Sequence, residues 1–308
     1  MTLGTVSATL DAVAARLDDQ FLLPVTPRVP SKGRSWSNSA WARGLVTHAS
    51  YEDTATQTGR TDRTHGLVIG LDAATKAHLL AGVYAALTAS ELRSDNGLSI
   101  DAAQQLAGLY AALRFGSFFA DAGLSAGKAD ADAFRDEPAG RTRGTYKNTH
   151  LGGSLGAGFI INAWKDAQIK ASAGARYTKI KINDYAEDGP GAMLVPDFSD
   201  KLVQGVARIQ ADQKFKLLGR PAAAGLALGW KQALRSPRKR MDAAFAADPS
   251  AVFTLEGDDL YNKGSAQTLG LSLRVALTRA TVLSLDCERE TAPDLTRNTA
   301  SLTLGCAW

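Results

Sequence analysis

From about residue 38 to the last residue, apolar side chains return at every second position, the period of a β-strand with two unlike faces. Around residues 78–88, Leu79, Ala81, Val83, Ala85 and Leu87 fall on one face, with His78, Gly82, Tyr84 and Thr88 on the other. Residues 104–115 repeat the arrangement, with Ala107, Leu109, Ala111, Leu113 and Phe115 opposite Gly108, Tyr110 and Arg114. The eight residues 80–87 correspond to 106–113 at an offset of 26, as recurring strand-and-loop units would give. Later segments keep the rule. Leu151, Leu155, Ala157, Phe159 and Ile161 oppose Gly152, Ser154, Gly156 and Gly158, and Leu269, Leu271, Leu273, Val275 and Leu277 oppose Thr268, Gly270, Ser272 and Arg274. The chain ends NTASLTLGCAW, with Ala300, Leu302, Leu304, Cys306 and Trp308 on the apolar face. Soluble domains usually fray at such a terminus. A strand patterned through to a final aromatic suits a closing strand whose apolar face meets lipid and whose ring sits at the interface.

The connections alternate in length. Long ones are expected at 52–63, 89–101, 128–146, 183–200, 235–263 and 290–297, and short ones at 72–76, Gly116, 162–166, 218–221 and 278–279. Residues 241–256 either form an extra hairpin outside the membrane or extend the tenth strand. About twelve strands result, at roughly 22 residues per strand and connection, as expected for strands of about ten membrane-spanning residues. Strand 1 mixes Trp41, Arg43 and Leu45 on one face, and the segment 281–289 hides Ser284, Asp286 and Glu288 behind Leu283 and Leu285. Such charges are costly in a packed soluble core but tolerated in a polar lumen. Ahead of the strands, residues 2–20 have helical spacing: Leu3, Val6, Leu10, Val13 and Leu17 make one stripe, with Asp11, Arg16, Asp18 and Asp19 elsewhere on the cylinder. A proline-rich linker follows. The expected organisation is an all-β transmembrane antiparallel barrel over residues 37–308, preceded by a helix and linker over 1–36.

Composition changes this picture little. The 45% hydrophobic content comes with a mean hydropathy of −0.13 and no run of about 18 apolar residues, which excludes a helical span. A net charge of +4 gives no reason to expect nucleic acid. No signal peptide is evident, so an exported chain reads either as a mature piece or as one started at an added Met1. The run Gly152-Gly153-Ser154-Leu155-Gly156 fits G-x-S-x-G, but alternation continues on both sides where a nucleophile elbow needs a sharp turn. His48, His65, His78 and His150 stand singly, without ligand spacing. Cys287 and Cys306 lie on neighbouring strands at positions too far offset to bridge, so two lipid-facing thiols are expected. The basic run 235–240 is either a solvated loop or a contact for lipopolysaccharide phosphates. No catalytic, cofactor or metal residue is assigned.

The arrangement resembles the translocator domain of autotransporters, the type V secretion β-domain. The resemblance rests on a lumen-length helix before the barrel, the opening WARG at Trp41–Gly44, GWKQAL followed by DAAFAADPSAVFTLEGDDLYNKGSAQTLGLSL, and the closing hairpin TVLSLDCERE and NTASLTLGCAW. It covers nearly the whole chain, with Trp at the end where Phe is commoner. It implies a non-enzymatic, monomeric translocator in the outer membrane of a Gram-negative bacterium, among outer-membrane lipid and lipopolysaccharide. Assembly machinery would read the last strand through Ala300, Leu302, Leu304 and Trp308. An N-terminal passenger, absent from this chain, would be delivered to the surface and the helix left as a plug. The inward charges suggest a physical reason for plugging: Arg114, Arg176, Arg208, Lys231 and Arg274 could pair with Asp11, Asp18 and Asp19. The alternative is that they solvate a channel. The other function classes are a porin or adhesin barrel, which has no need to thread its N-terminus, and a barrel enzyme, which would require a Ser, His or Asp constellation at one rim.

Overall fold

A computed structural model describes residues 9–17, 36–54, 58–75, 79–235, 240–256 and 264–308. Leu3, Val6, Asp18, Asp19, His78, the linker and most of the basic run at 235–240 lie outside the described residues. Residues 9–17 form the helix α1. The strands are β1 (Trp36–Tyr51), β2 (Arg60–Thr75), β3 (Leu79–Ser94), β4 (Leu98–Phe115), β5 (Phe118–Glu137), β6 (Gly140–Trp164), β7 (Ala167–Ile182), β8 (Tyr185–Asp188), β9 (Met193–Val195), β10 (Phe198–Leu217), β11 (Arg220–Arg235), β12 (Arg240–Phe245), β13 (Asp248–Glu256), β14 (Ser265–Ala276), β15 (Thr281–Ala292) and β16 (Leu295–Ala307).

Each barrel strand pairs antiparallel with the next, β7 passes to β10, β11 passes to β14, and β16 returns to β1 over Ser39–Tyr51. The result is a closed barrel of 12 strands. Closure leaves no open edge among them, the condition for crossing a bilayer with strands. The alternation read from sequence is the inside–outside alternation of the wall. Leu151, Leu155, Phe159 and Ile161 are exposed on β6, as are Leu302, Leu304 and Trp308 on β16, while Ser301 and Thr303 are buried. The ten steps from Leu151 to Ile161, at ~3.3 Å each and tilted ~40°, cover about 25 Å, the height of a membrane-barrel apolar band.

Three of the connections expected to be long are short. β3 reaches Ser94 before β4 starts at Leu98, β5 reaches Glu137 before β6 starts at Gly140, and β15 reaches Ala292 before β16 starts at Leu295. Above the membrane both faces of a strand meet water, so polar residues such as Arg93, paired with Glu91 and Asp101, look loop-like while remaining in the ladder. Residues 241–256 do belong to an extra hairpin, β12–β13, which joins β9 and β8 in a small annex to β6. At the opposite end the turns are tight. Leu218 and Gly219 both have positive φ, 50° and 76°, in the two-residue link from β10 to β11, as a type I′ hairpin requires.

The internal repeat acquires a function in packing. β3 and β4 run antiparallel, so Gly82 lies opposite Tyr110 and Tyr84 opposite Gly108. A Cβ at either glycine would overlap the partner ring, and the same holds for Gly70 under Trp41, Gly158 under Phe119 and Gly127 under His150. Each lumen-facing ring thus lies flat on the neighbouring backbone, which locks register. Gly70→Val is expected to push Trp41 off β2 and cost ~1–3 kcal/mol by overpacking. Its folded, heat-modifiable form should melt at a lower temperature than that of the lipid-face control Leu71→Val. Equal melting would show that the ring does not need the glycine.

Candidate functional site

The site is the lumen, and helix α1 occupies it. With strands ~4.8 Å apart and tilted ~40°, twelve enclose a backbone circle of about 24 Å; inward side chains ~6 Å deep leave about 12 Å, the diameter of one helix with its side chains. The two sides of the lumen differ in chemistry. Ala12, Val13 and Leu17 are buried in one cluster with Trp41, Leu45, Val68, Leu80, Tyr84, Leu106, Tyr110, Phe119 and Ile160 from β1–β6. The apolar stripe of the helix therefore has an apolar wall to meet. The sequence signal for that wall is LLAGVYAAL, in which both parities carry apolar residues: Leu80 and Ala86 point inward beside Tyr84.

At the C-terminal end of the helix a buried ion pair joins it to β2. Arg16 Nε donates to Asp72 Oδ2 at 2.9 Å and its Nη2 donates to Ser39 Oγ at 2.9 Å; the two ionic side chains are 7% and 0% exposed. Asp72 also accepts from Ser39 and from the Tyr110 hydroxyl, at 3.0 Å in the latter case, and Tyr110 accepts from Trp41 Nε1 at 2.9 Å. Arg43 reaches the helix backbone at Ala12 O (3.4 Å) while holding Asp286 (3.0 Å) and Ser301 (2.6 Å).

The opposite wall carries the reverse polarity. Asp11 of the helix is 2.5 Å from Arg176 on β7 and 3.6 Å from Lys231 on β11. Lys231 also contacts Glu290 (2.9 Å) and Glu288 (3.5 Å); Arg208 contacts Glu288 (2.7 Å) and Arg297 contacts Glu290 (3.2 Å). In this network Arg176, Arg208, Lys231 and Arg297 face Glu288 and Glu290, so the wall alone has an excess of two positive charges, and Asp11 reduces it to one. Between the helix and the wall remain cavities of about 120 and 100 Å³.

Of the residues singled out from sequence, the structure brings Asp11, Arg176 and Lys231 together. Arg208 meets Glu288 instead of the helix, Arg274 on β14 is paired with Asp212 on β10 across the intervening β11, and Arg114 Nε donates to Gly116 O at the rim (3.0 Å). These three have carboxylates or carbonyls of their own wall within closer reach than the helix. Asp18 and Asp19 lie outside the described residues. Ala300, Leu302, Leu304 and Trp308 line the outer face of β16, and the Trp308 backbone exchanges hydrogen bonds with Asn38 at 3.0 and 3.2 Å. Sequence reading missed Arg16, Asp72 and Arg43. The expected turn at 72–76 absorbed Asp72, whereas β2 runs to Thr75 and the parity of Gly66, Val68 and Gly70 carries Asp72 inward.

Gly152–Gly156 is continuous strand within β6, without an elbow. His150 is buried in the lumen against Gln104 (3.1 Å), and His48 and His65 face outward. Cys287 and Cys306 are free and exposed, opposite Ala300 and Thr281 rather than each other. No group of His, Cys, Asp and Glu suited to a metal occurs among the described residues.

The Arg16–Asp72 pair makes a definite prediction. Asp72→Ala leaves a buried guanidinium without its carboxylate and is expected to destabilise the refolded barrel by ~3–5 kcal/mol. The double variant Arg16→Met/Asp72→Asn should recover most of that loss in denaturant titrations in micelles. An unchanged midpoint for Asp72→Ala would mean that the pair does not hold the helix.

Among curated protein sequences none matches the chain. Solved structures do. The translocator domain of NalP from Neisseria meningitidis aligns with a TM-score of 0.71 at 13% identity, over 98% of this chain and 97% of that one. The β-domain of the Bordetella autotransporter BrkA gives 0.66 at 16%, over 88% and 99%, and the transport unit of AIDA-I from Escherichia coli gives 0.53 at 13%, over 96% and 95%. At these identities the likeness establishes the fold. The family model for the autotransporter beta-domain matches residues 40–288, most of the chain. The chain belongs to the autotransporter β-domain family and is an outer-membrane translocator barrel of a Gram-negative bacterium.

Proposed function

We propose that residues 37–308 deliver a passenger attached ahead of the helix to the cell surface, and that residues 1–36 are the end of the threaded segment, retained in the pore as its plug. The observation that carries this reading is the two-sided fixation of α1: Arg16 on Asp72 at one wall, Asp11 on Arg176 and Lys231 at the other. A helix matched in polarity to both walls has a stable resting place between them. In this reading the chain is a monomer and performs no covalent chemistry. Barrel assembly machinery recognises β16 through its outward row Ala300, Leu302, Leu304 and Trp308, and lipopolysaccharide surrounds the outer half of the wall.

The test fuses an export signal and a small reporter ahead of Thr2 and adds protease to intact Gram-negative cells. Loss of the reporter, with a folded barrel retained in the outer membrane, is the expected result. A reporter protected from protease above a properly inserted barrel would overturn delivery and leave a pore-forming or adhesive barrel.

A further inference from the structure

The outer wall above the apolar band is not uniform. On β5, β6, β7 and β10, four neighbouring strands, Lys128, Lys147, Lys179, Lys181 and Lys201 all point away from the lumen, with Ala129, Asn148, Thr178, Ile180 and Leu202 alternating inward. Lys179 sits directly opposite Lys201, and Lys128 and Lys181 flank Thr149 from either side. Like charges directly opposed on adjacent strands destabilise a sheet, so the Lys179–Lys201 pair needs an anion to offset it. Lys181 has Asp197 at 3.1 Å, and Asp130 lies across from Lys147. Among the described residues none of Lys128, Lys179 and Lys201 has a carboxylate within 4.0 Å. Elsewhere at this height the outward charges are sparse or paired, as in Arg93 with Glu91 and Asp101.

The height is informative. Leu151 ends the apolar row of β6, and the lysines begin at that level, on the loop side of the band. In an outer-membrane barrel this is the headgroup layer of the outer leaflet. We propose that this face binds the phosphorylated disaccharide headgroup of lipopolysaccharide, one phosphate at Lys179 and Lys201 and the other at Lys128 and Lys181. The outermost of these lysines, Lys128 on β5 and Lys201 on β10, stand three strand intervals or about 14 Å apart, with Lys179 and Lys181 between them on β7, a spread that suits a disaccharide bearing a phosphate at each end better than a headgroup with a single phosphate. Ammonium groups bind phosphate as flexible point charges, and the apolar row beneath takes the acyl chains. The proposal names a partner of the translocator barrel and rests on that reading for its orientation in the membrane.

The test uses the full chain refolded in detergent micelles, with bound lipid counted per barrel by native mass spectrometry. Bisphosphorylated lipid A is the probe, and the same lipid stripped of phosphate and phosphatidylglycerol are the competitors. Wild type is expected to retain one lipid A. Lys179→Gln/Lys201→Gln is expected to weaken retention about thirtyfold, and Lys128→Gln/Lys181→Gln to weaken it comparably. Arg63→Gln/Arg289→Gln, which removes the same charge elsewhere on the outer wall, should bind as wild type does. Equal retention by wild type and both lysine variants would overturn the proposal, as would equal competition by phosphatidylglycerol or by the dephosphorylated lipid. Heat-modifiable folding of every variant, and surface delivery of the reporter by them, keeps this result separate from the translocator reading.

Discussion

Deleting residues 1–35 is expected to convert a closed barrel into an open, mildly anion-selective channel. The helix fills the central space and leaves cavities beside it of about 120 and 100 Å³, room for a few waters each. Without it the lumen is about 12 Å wide by the strand arithmetic; Arg176 and Lys231 lose Asp11 while Asp72 loses Arg16, so the network's excess of two positive charges stands against one freed carboxylate. The uncompensated cations then line the conduction path, so the reversal potential in a salt gradient should shift toward that of the anion. Stability should fall as well. Leu10, Val13 and Leu17 are each about 5% exposed or less, and exposing the wall they cover forfeits roughly 5–9 kcal/mol at ~1.5–3 kcal/mol per large apolar side chain. Planar-bilayer recordings test the first part, and melting of the heat-modifiable form tests the second. A deletion variant that conducts no better than wild type would show that strands or loops close the pore and that the helix is dispensable as a plug.

The parts of this molecule legible in sequence are those governed by one simple contrast. Outward residues meet lipid and inward residues do not, so β14 and β16 are visible as alternation and their faces are assigned by parity alone. The contrast fails where both sides are wet, and there strand looks like loop: Arg93, Asp101, Asp132 and Arg143 sit in ladders joined by salt bridges above the membrane. It fails again where both sides are apolar. On β3 the inward Leu80 and Ala86 face a helix instead of water, and the alternation of the segment is blurred for that reason. The charged half of the site was partly readable, since Arg176 and Lys231 have inward parity and Asp11 lies on the helix. Arg16 was not, because its partner depends on how the helix is rotated and how far it is inserted, which no strand pattern encodes. The repeat at 80–87 and 106–113 was visible as similarity, but its consequence, each tyrosine lying over the other strand's glycine, follows only from the antiparallel register.

Removal of Leu302–Trp308 is expected to abolish membrane assembly, with removal of Trp308 alone giving a partial defect. The seam between β1 and β16 pairs Ser39 with Ala307, Ala40 with Cys306, Trp41 with Gly305, Ala42 with Leu304, Arg43 with Thr303 and Gly44 with Leu302. Truncation at Ser301 strips all of these at once and also leaves Thr281–Leu285 of β15 without their partners. The freed groups lie within the apolar band, where each unsatisfied N–H or C=O costs several kcal/mol and no water is available to replace the strand. A barrel open along that length has no route to closure, because β1 and β15 are separated by the full width of the missing strand, about 9.6 Å for two strand spacings. Loss of Trp308 alone is milder. It removes the exchanged hydrogen bonds with Asn38 and one ring, 57% exposed at the membrane edge, while leaving the paired register intact. The ratio of heat-modifiable to unfolded protein in isolated outer membranes reads both. Normal amounts of folded barrel from the Ser301 truncation would mean that the wall closes by a different pairing, and the β1–β16 seam would then have no special place in assembly.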